Sequence, residues 1–245
     1  MEIEGIVQGE PATGQQSEGG NHIDDDEDKE EKDQEQMDKI KAAIEAGDME
    51  FLAAVVLDGD GDKLIGLETK QSEIQAFLDN VPAYMGKIRR VHTAAREGNL
   101  RDLQSALDRR KFAVAKDEIS PNGASPLHVA TIFGHTGIVR YLAGRFPETM
   151  TAVDEQKRTA LHYAATIHDN GHFYNLLVHM GANPKSQDDV GNTAEFYMLH
   201  ERSDKFLSHK KLLGNFGVQE EMADEMLSDQ GLSARVTIDS ATKLF

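Results

Sequence analysis

The chain has no cysteine, so neither a disulfide framework nor thiolate chemistry is open to it, and a reducing compartment is its natural setting. No apolar run approaches the roughly 18 residues that a membrane span needs. The opening MEIEGIVQGE carries neither the positive region nor the apolar stretch of a signal peptide. A soluble, monomeric, cytoplasmic protein is expected, with the nucleus left open. Catalytic signatures are missing as well: there is no GxGxxG, no Walker loop, no Gly-x-Ser-x-Gly and no H-E-x-x-H. The sequence therefore gives no reason to read an enzyme, a catalytic residue, a metal site or a cofactor. Basic residues are the minority, 26 Lys and Arg against 43 Asp and Glu for a net charge of −17. That balance opposes general affinity for nucleic-acid phosphates.

The acidity is unevenly placed. Residues 1–38 hold 14 Asp and Glu against 2 Lys, a net of −12, which leaves −5 for the other 207 residues. Gly5 to Asn21 is rich in Gly, Gln and Ser, and Asp24 to Asp38 is a block of charge with little to bury, the composition of a disordered segment. Residues 1–37 are accordingly expected to be a disordered acidic tail outside the fold. The opposite sign gathers between Lys87 and Lys116, where nine basic residues face three acidic ones for a net of +6. This segment is either a solvated helix face or an attractor for acidic partners, and residues 24–38 of the same chain are the nearest such partner.

An internal repeat organises the middle of the chain. Gly123-Ala124-Ser125-Pro126-Leu127-His128-Val129-Ala130, Lys157-Arg158-Thr159-Ala160-Leu161-His162-Tyr163-Ala164 and Gly191-Asn192-Thr193-Ala194-Glu195-Phe196-Tyr197 align, with Ser125, Thr159 and Thr193 spaced by 34. Ser or Thr ahead of an apolar run offers an oxygen to the free N–H groups of a helix start, and Pro126 suits the first helical position. After Gly134-His135 a second helical pattern places Ile138, Val139 and Leu142 on one face. Met180-Gly181-Ala182-Asn183-Pro184 reads as a glycine-marked exit. Each unit is thus a short helix, a turn, a longer helix and an exit.

These motifs resemble the ankyrin-repeat family, with its T-P-L-H-x-A core and following G-H. The resemblance implies an all-α solenoid of stacked helix pairs with projecting fingers, and a concave face that binds another protein as an adaptor or scaffold. It also implies a structural role for His128 and His162, whose rings tie neighbouring fingers together. Weaker units follow the same offsets at Ile40 to Val56 and His92 to Leu107, giving about five repeats starting near 38, 87, 121, 155 and 188, the terminal ones degenerate. The expected division is a repeat domain at 38–204, capping helices at 205–227 and a flexible end at 228–245. Lys157 stands where the family prefers Gly, and Glu195-Phe196 replaces the usual Leu-His.

The stretch LDGDGDKLIGLE from Leu57 has the look of a calcium loop, but position 6 counted from Asp58 is Lys63 and position 12 is Thr69, where the loop needs Gly and Glu. A helix exit at Gly59 fits the repeat better, with a weak cation-responsive loop as the alternative. Ser72-Glu73-Ile74-Gln75 then reads as a capping box opening an extra short helix. His168 and His172 share an i, i+4 spacing, but nothing completes a metal set around them.

The concave-side and finger positions give the candidate partner-binding residues: Asn122, Ala124, Ile132, Phe133, Gln156, Arg158, Thr166 and Ile167. Ile132 and Phe133, apolar and next to the Gly134-His135 turn, are either a docking patch or are covered by a neighbouring repeat. A regulatory or inhibitory subunit of an enzyme is the alternative role. Arg235-Val236-Thr237-Ile238 resembles a phosphatase docking motif with Ile238 where an aromatic is wanted.

Overall fold

The computed structural model describes residues 22–200 and 206–219, so the Arg235–Ile238 motif and residues 220–227 lie outside the described residues. Among the described residues ten α-helices follow one another: α1 His22–Ala46, α2 Met49–Leu57, α3 Ser72–Glu97, α4 Leu100–Ala106, α5 Pro126–Ile132, α6 Thr136–Arg145, α7 Ala160–Ala164, α8 His172–His179, α9 Ala194–Leu199 and α10 His209–Asn215. Among the described residues the only extended pairing is an isolated bridge between Gln187 and Thr193.

Helix pairs form because each unit carries an apolar stripe that has nothing to bury it except the next unit. The end of α3, then α5, α7 and α9, pack in succession as one row of inner helices. Small residues permit their close approach: Ala94, Ala95, Ala130, Ala164 and Ala165 are all buried. Gly98 marks how close. It closes α3 in the left-handed region at φ 77°, and a Cβ there would meet the His135 ring at 2.7 Å. His135 of the following unit lies against it, its Nε2 donating to the Arg96 carbonyl at 2.8 Å.

The interior is in two parts. One gathers residues from Val91 to Phe216, and the other joins α1 and α2 to the first half of α3 with Phe112 and Ala115. Long helix α3 runs through both. It replaces the expected extra short helix and the first helix of the second unit with a single rod. Ser72 does not cap it: the N-cap is Gln71, and the Gln75 side chain instead accepts the Thr69 N–H at 2.8 Å. Pro82 falls inside α3 on an exposed face, where losing one backbone hydrogen bond is tolerable.

A second difference lies at the amino end. Helix α1 begins at His22, within residues 1–37, expected to be a disordered tail, and takes in the acidic block from Asp24. Glu, Gln and Lys are good helix formers, and pairs one turn apart support the helix, Lys39 with Glu35 at 2.7 Å and Gln34 with Asp38 at 3.0 Å. Ile40, Ala43 and Ile44 then anchor its end in the core. Asp33 meets Lys63 at 2.9 Å, whereas the basic segment finds its acids within the repeats: Lys87 with Asp108, Arg89 with Asp117 and Glu118, Arg90 with Asp102, Arg110 with Glu148 and Lys116 with Asp58.

The DGDG stretch is a helix exit. Helix α2 ends at Leu57, and Gly59 takes φ 95°. Lys63 sits 3.3 Å from Asp60, and Lys116 lies 3.5 Å from Asp58, so the loop's carboxylates face the chain's own lysines.

Candidate functional site

Three finger turns recur at the 34-residue spacing, and backbone hydrogen bonds join them edge to edge. Glu155 N–H donates to the Asn122 carbonyl at 2.9 Å, and Asp189 N–H donates to the Gln156 carbonyl at 3.0 Å. The tips need a left-handed residue, supplied by Gly123 at φ 65° and Gly191 at φ 86°, and by Lys157 at φ 58° where glycine is expected.

Buried carboxylates brace two of these fingers. Asp154 Oδ1 accepts the N–H groups of Gln156 and Arg158 at 2.9 and 2.8 Å, while its Oδ2 takes Arg158 Nε at 2.7 Å and the Tyr163 hydroxyl at 3.0 Å. Asp188 repeats the arrangement with Val190, Asn192 and Tyr197. Burial beside Asp154 pushes the Tyr163 phenol well above its ordinary value, so it stays a donor. These Asp–Tyr pairs were not among the expected site residues. Their signal was available: Asp154 and Tyr163 share the spacing of Asp188 and Tyr197, 34 residues on.

The histidines tie finger to helix as the resemblance implies. His128 Nδ1 accepts the Ser125 N–H at 3.2 Å, and its Nε2 donates to the Arg158 carbonyl of the next finger at 2.9 Å. His162 does the same with Thr159 and, at 3.2 Å, the Asn192 carbonyl. Earlier, His92 bonds Ser120 Oγ at 2.6 Å and the Ala115 carbonyl at 2.9 Å. Burial lowers the pKa of all three, that of His128 to about 4. At α9 the third helical residue is Phe196, which has no ring nitrogen to close the box. It stacks instead on His200 at 4.3 Å and meets Phe206 edge-on at 5.0 Å.

His168 and His172 do not share a helix face. Residues 166–171 form turns and α8 begins only at His172, with Asp169 accepting the N–H groups of His172 and Phe173 at 3.0 and 2.9 Å. Among the described residues no group of three or more His, Cys, Asp and Glu could hold a metal ion.

Of the eight candidate partner residues, Ala124, Ile132, Arg158, Thr166 and Ile167 are buried in the chain itself. Their side chains are structural: Arg158 belongs to Asp154, and Thr166 Oγ1 donates to the Tyr163 carbonyl at 2.8 Å. Asn122, Gln156 and Phe133 remain half-buried.

The fate of Ile132 and Phe133 decides between their two readings. Helix α10 covers them, and it belongs to the segment after the repeats, not to an adjacent repeat. His209 Nε2 donates to the Ile132 carbonyl at 2.8 Å, Phe133 meets Phe216 edge-on at 5.4 Å, and Arg96 Nη2 donates to the Phe216 carbonyl at 2.9 Å with its guanidinium 5.3 Å from the Phe133 ring. The inner-helix face at this point is therefore occupied by the chain.

Among the described residues the finger row stays open. Beside Asn122 lies a polar cleft lined by Asp58, Asp60, Asp117, Glu118 and Glu155 together with Lys116. Carboxylates outnumber the basic groups that reach it, so the cleft keeps a negative surplus.

Residues 91–202 match a family model described as ankyrin repeats, in three copies. No curated protein matches the chain. The pair α1 and α2 precedes the matched segment. No described helix is long and apolar enough to cross a membrane.

Proposed function

We propose, from the match of residues 91–202 to the ankyrin-repeat model, that the chain is a cytoplasmic adaptor which holds one partner protein on its finger row. Ankyrin repeats generally serve as protein–protein interaction modules. The observation that carries the reading is the backbone ladder from Asn122 to Glu155 and from Gln156 to Asp189. It fixes the fingers in place before any partner arrives, so binding costs little conformational entropy. Asn122 and Gln156 are the candidate residues still within reach of a partner. The acidic surplus beside them favours a partner segment bearing Lys or Arg.

The test is affinity capture with the whole chain and with the double variant Asn122→Arg, Gln156→Arg, analysed by mass spectrometry. A partner retained by the native chain and lost from the variant, with helicity unchanged, supports the reading. Identical retention by both would remove the finger row as the docking surface.

A further inference from the structure

Between α2, the first half of α3 and the 3₁₀ turn Arg110–Ala113, the surface opens into an apolar groove of about 350 Å³ lined by Leu57, Phe77, Tyr84 and Phe112. Its aromatic rings are continuous, Phe77 to Tyr84 at 5.9 Å and Tyr84 to Phe112 at 6.3 Å between centroids. Leu57, Phe77 and Tyr84 are only half-buried, so the lining is reachable from outside. None of these residues lines the acidic cleft of the fingers.

The rim gives the groove a chemical preference. Arg109, Arg110 and Lys111 stand along it. Five of the nine basic residues between 87 and 116 have a carboxylate within ion-pair distance, Arg110 among them. Arg109 and Lys111 have none among the described residues. Arg109 lies 4.6 Å over the Tyr84 ring, with Nη2 donating to its hydroxyl at 3.2 Å. The contact fixes the guanidinium at the groove mouth and leaves its charge unneutralised.

We propose that this groove docks an acidic peptide segment of a partner protein, with one or two large apolar side chains seated against Phe77, Tyr84 and Phe112 and flanking carboxylates on Arg109 and Lys111. Apolar burial supplies the affinity. The rim charges select an acidic flank over a basic one. The chain's own net charge of −17 opposes polyanions at a distance, so recognition acts at short range.

Fluorescence anisotropy tests this with a labelled synthetic peptide carrying a Leu-Phe pair flanked by glutamates. One control replaces the glutamates by lysines and another replaces Leu-Phe by alanines. Only the acidic, anchored peptide is expected to bind. Lys111→Glu, at an exposed site, should weaken it about tenfold. Ala53→Phe, which fills the groove from α2 without changing charge, should abolish it. Should Ala53→Phe disturb the circular dichroism spectrum, Lys111→Glu decides alone. The proposal is overturned by absence of binding, by equal binding of the lysine peptide, or by binding indifferent to both folded variants. A dimer in sedimentation that Ala53→Phe dissociates would also overturn it, and would make a second copy of this chain the occupant.

Discussion

Lys157 holds a finger tip in a left-handed conformation that Gly123 and Gly191 adopt at the matching positions. A side chain in that region costs about 1–2 kcal/mol, while glycine adds unfolded-state entropy of about 0.5–1 kcal/mol. Lys157→Gly should therefore raise stability by about 0.5–1 kcal/mol in urea denaturation. The opposite sign is expected at Asp154, whose carboxylate accepts four hydrogen bonds in one buried finger. Asp154→Ala takes the acceptor from Arg158 Nε, the Tyr163 hydroxyl and two backbone N–H groups, and should cost about 3 kcal/mol in the same measurement. The two positions differ in legibility. Lys157 stood out because the repeat spacing placed it against glycine. Asp154 did not: its recurrence with Tyr163 as Asp188 and Tyr197 marks a pair, but only the fold brings the hydroxyl onto the carboxylate.

At the scale of elements, the short capped helices were readable and the long and late ones were not. Helices α5 and α7 are capped by Ser125 and Thr159, where the cap and the apolar run agree, with Pro126 adding to the signal for α5. For α3, Pro82 and Gly86 read locally as interruptions, yet Ile74, Leu78, Val81 and Ile88 are all buried along one rod, and that packing outweighs the local weakness. Helix α10 is a different case. Its seven residues could be recognised as helical, but their docking place on Ile132 and Phe133 is a contact across the sequence that no local pattern records. Phe216 is 5% exposed and is a main apolar link in that docking, so Phe216→Ala should cost about 3 kcal/mol locally. Hydrogen exchange is the measurement. Amides of 209–216 should lose protection, while those of α5 to α8 keep theirs.

For the whole molecule, buried histidines are the recurrent fastening. His92, His128 and His162 each reach the following finger, and His209 ties α10 back to α5. Burial lowers the pKa of each, those of His128 and His209 to about 4. Above the ordinary histidine value of about 6.5 both folded and unfolded chains carry neutral rings, and pH has no purchase on them. Between about 6.5 and about 4 the unfolded chain takes up protons that folded His128 and His209 exclude, so each of these two removes about 1.4 kcal/mol per pH unit, and His92 and His162 act in the same direction. Urea midpoints should consequently fall as pH drops from about 7 to about 5. Flat midpoints over that range would show that the rings titrate normally.

The sequence by itself determined the helical unit and its 34-residue period, and the family resemblance implied the fingers and the ties of His128 and His162, because each involves residues within a turn or a repeat of one another. Only the tertiary structure decided which surfaces remain open, because exposure depends on segments far apart along the chain. Helix α10 settles on the inner face and buries Ile132, while internal carboxylates pair most of the basic segment and leave Arg109 and Lys111 at the mouth of a groove.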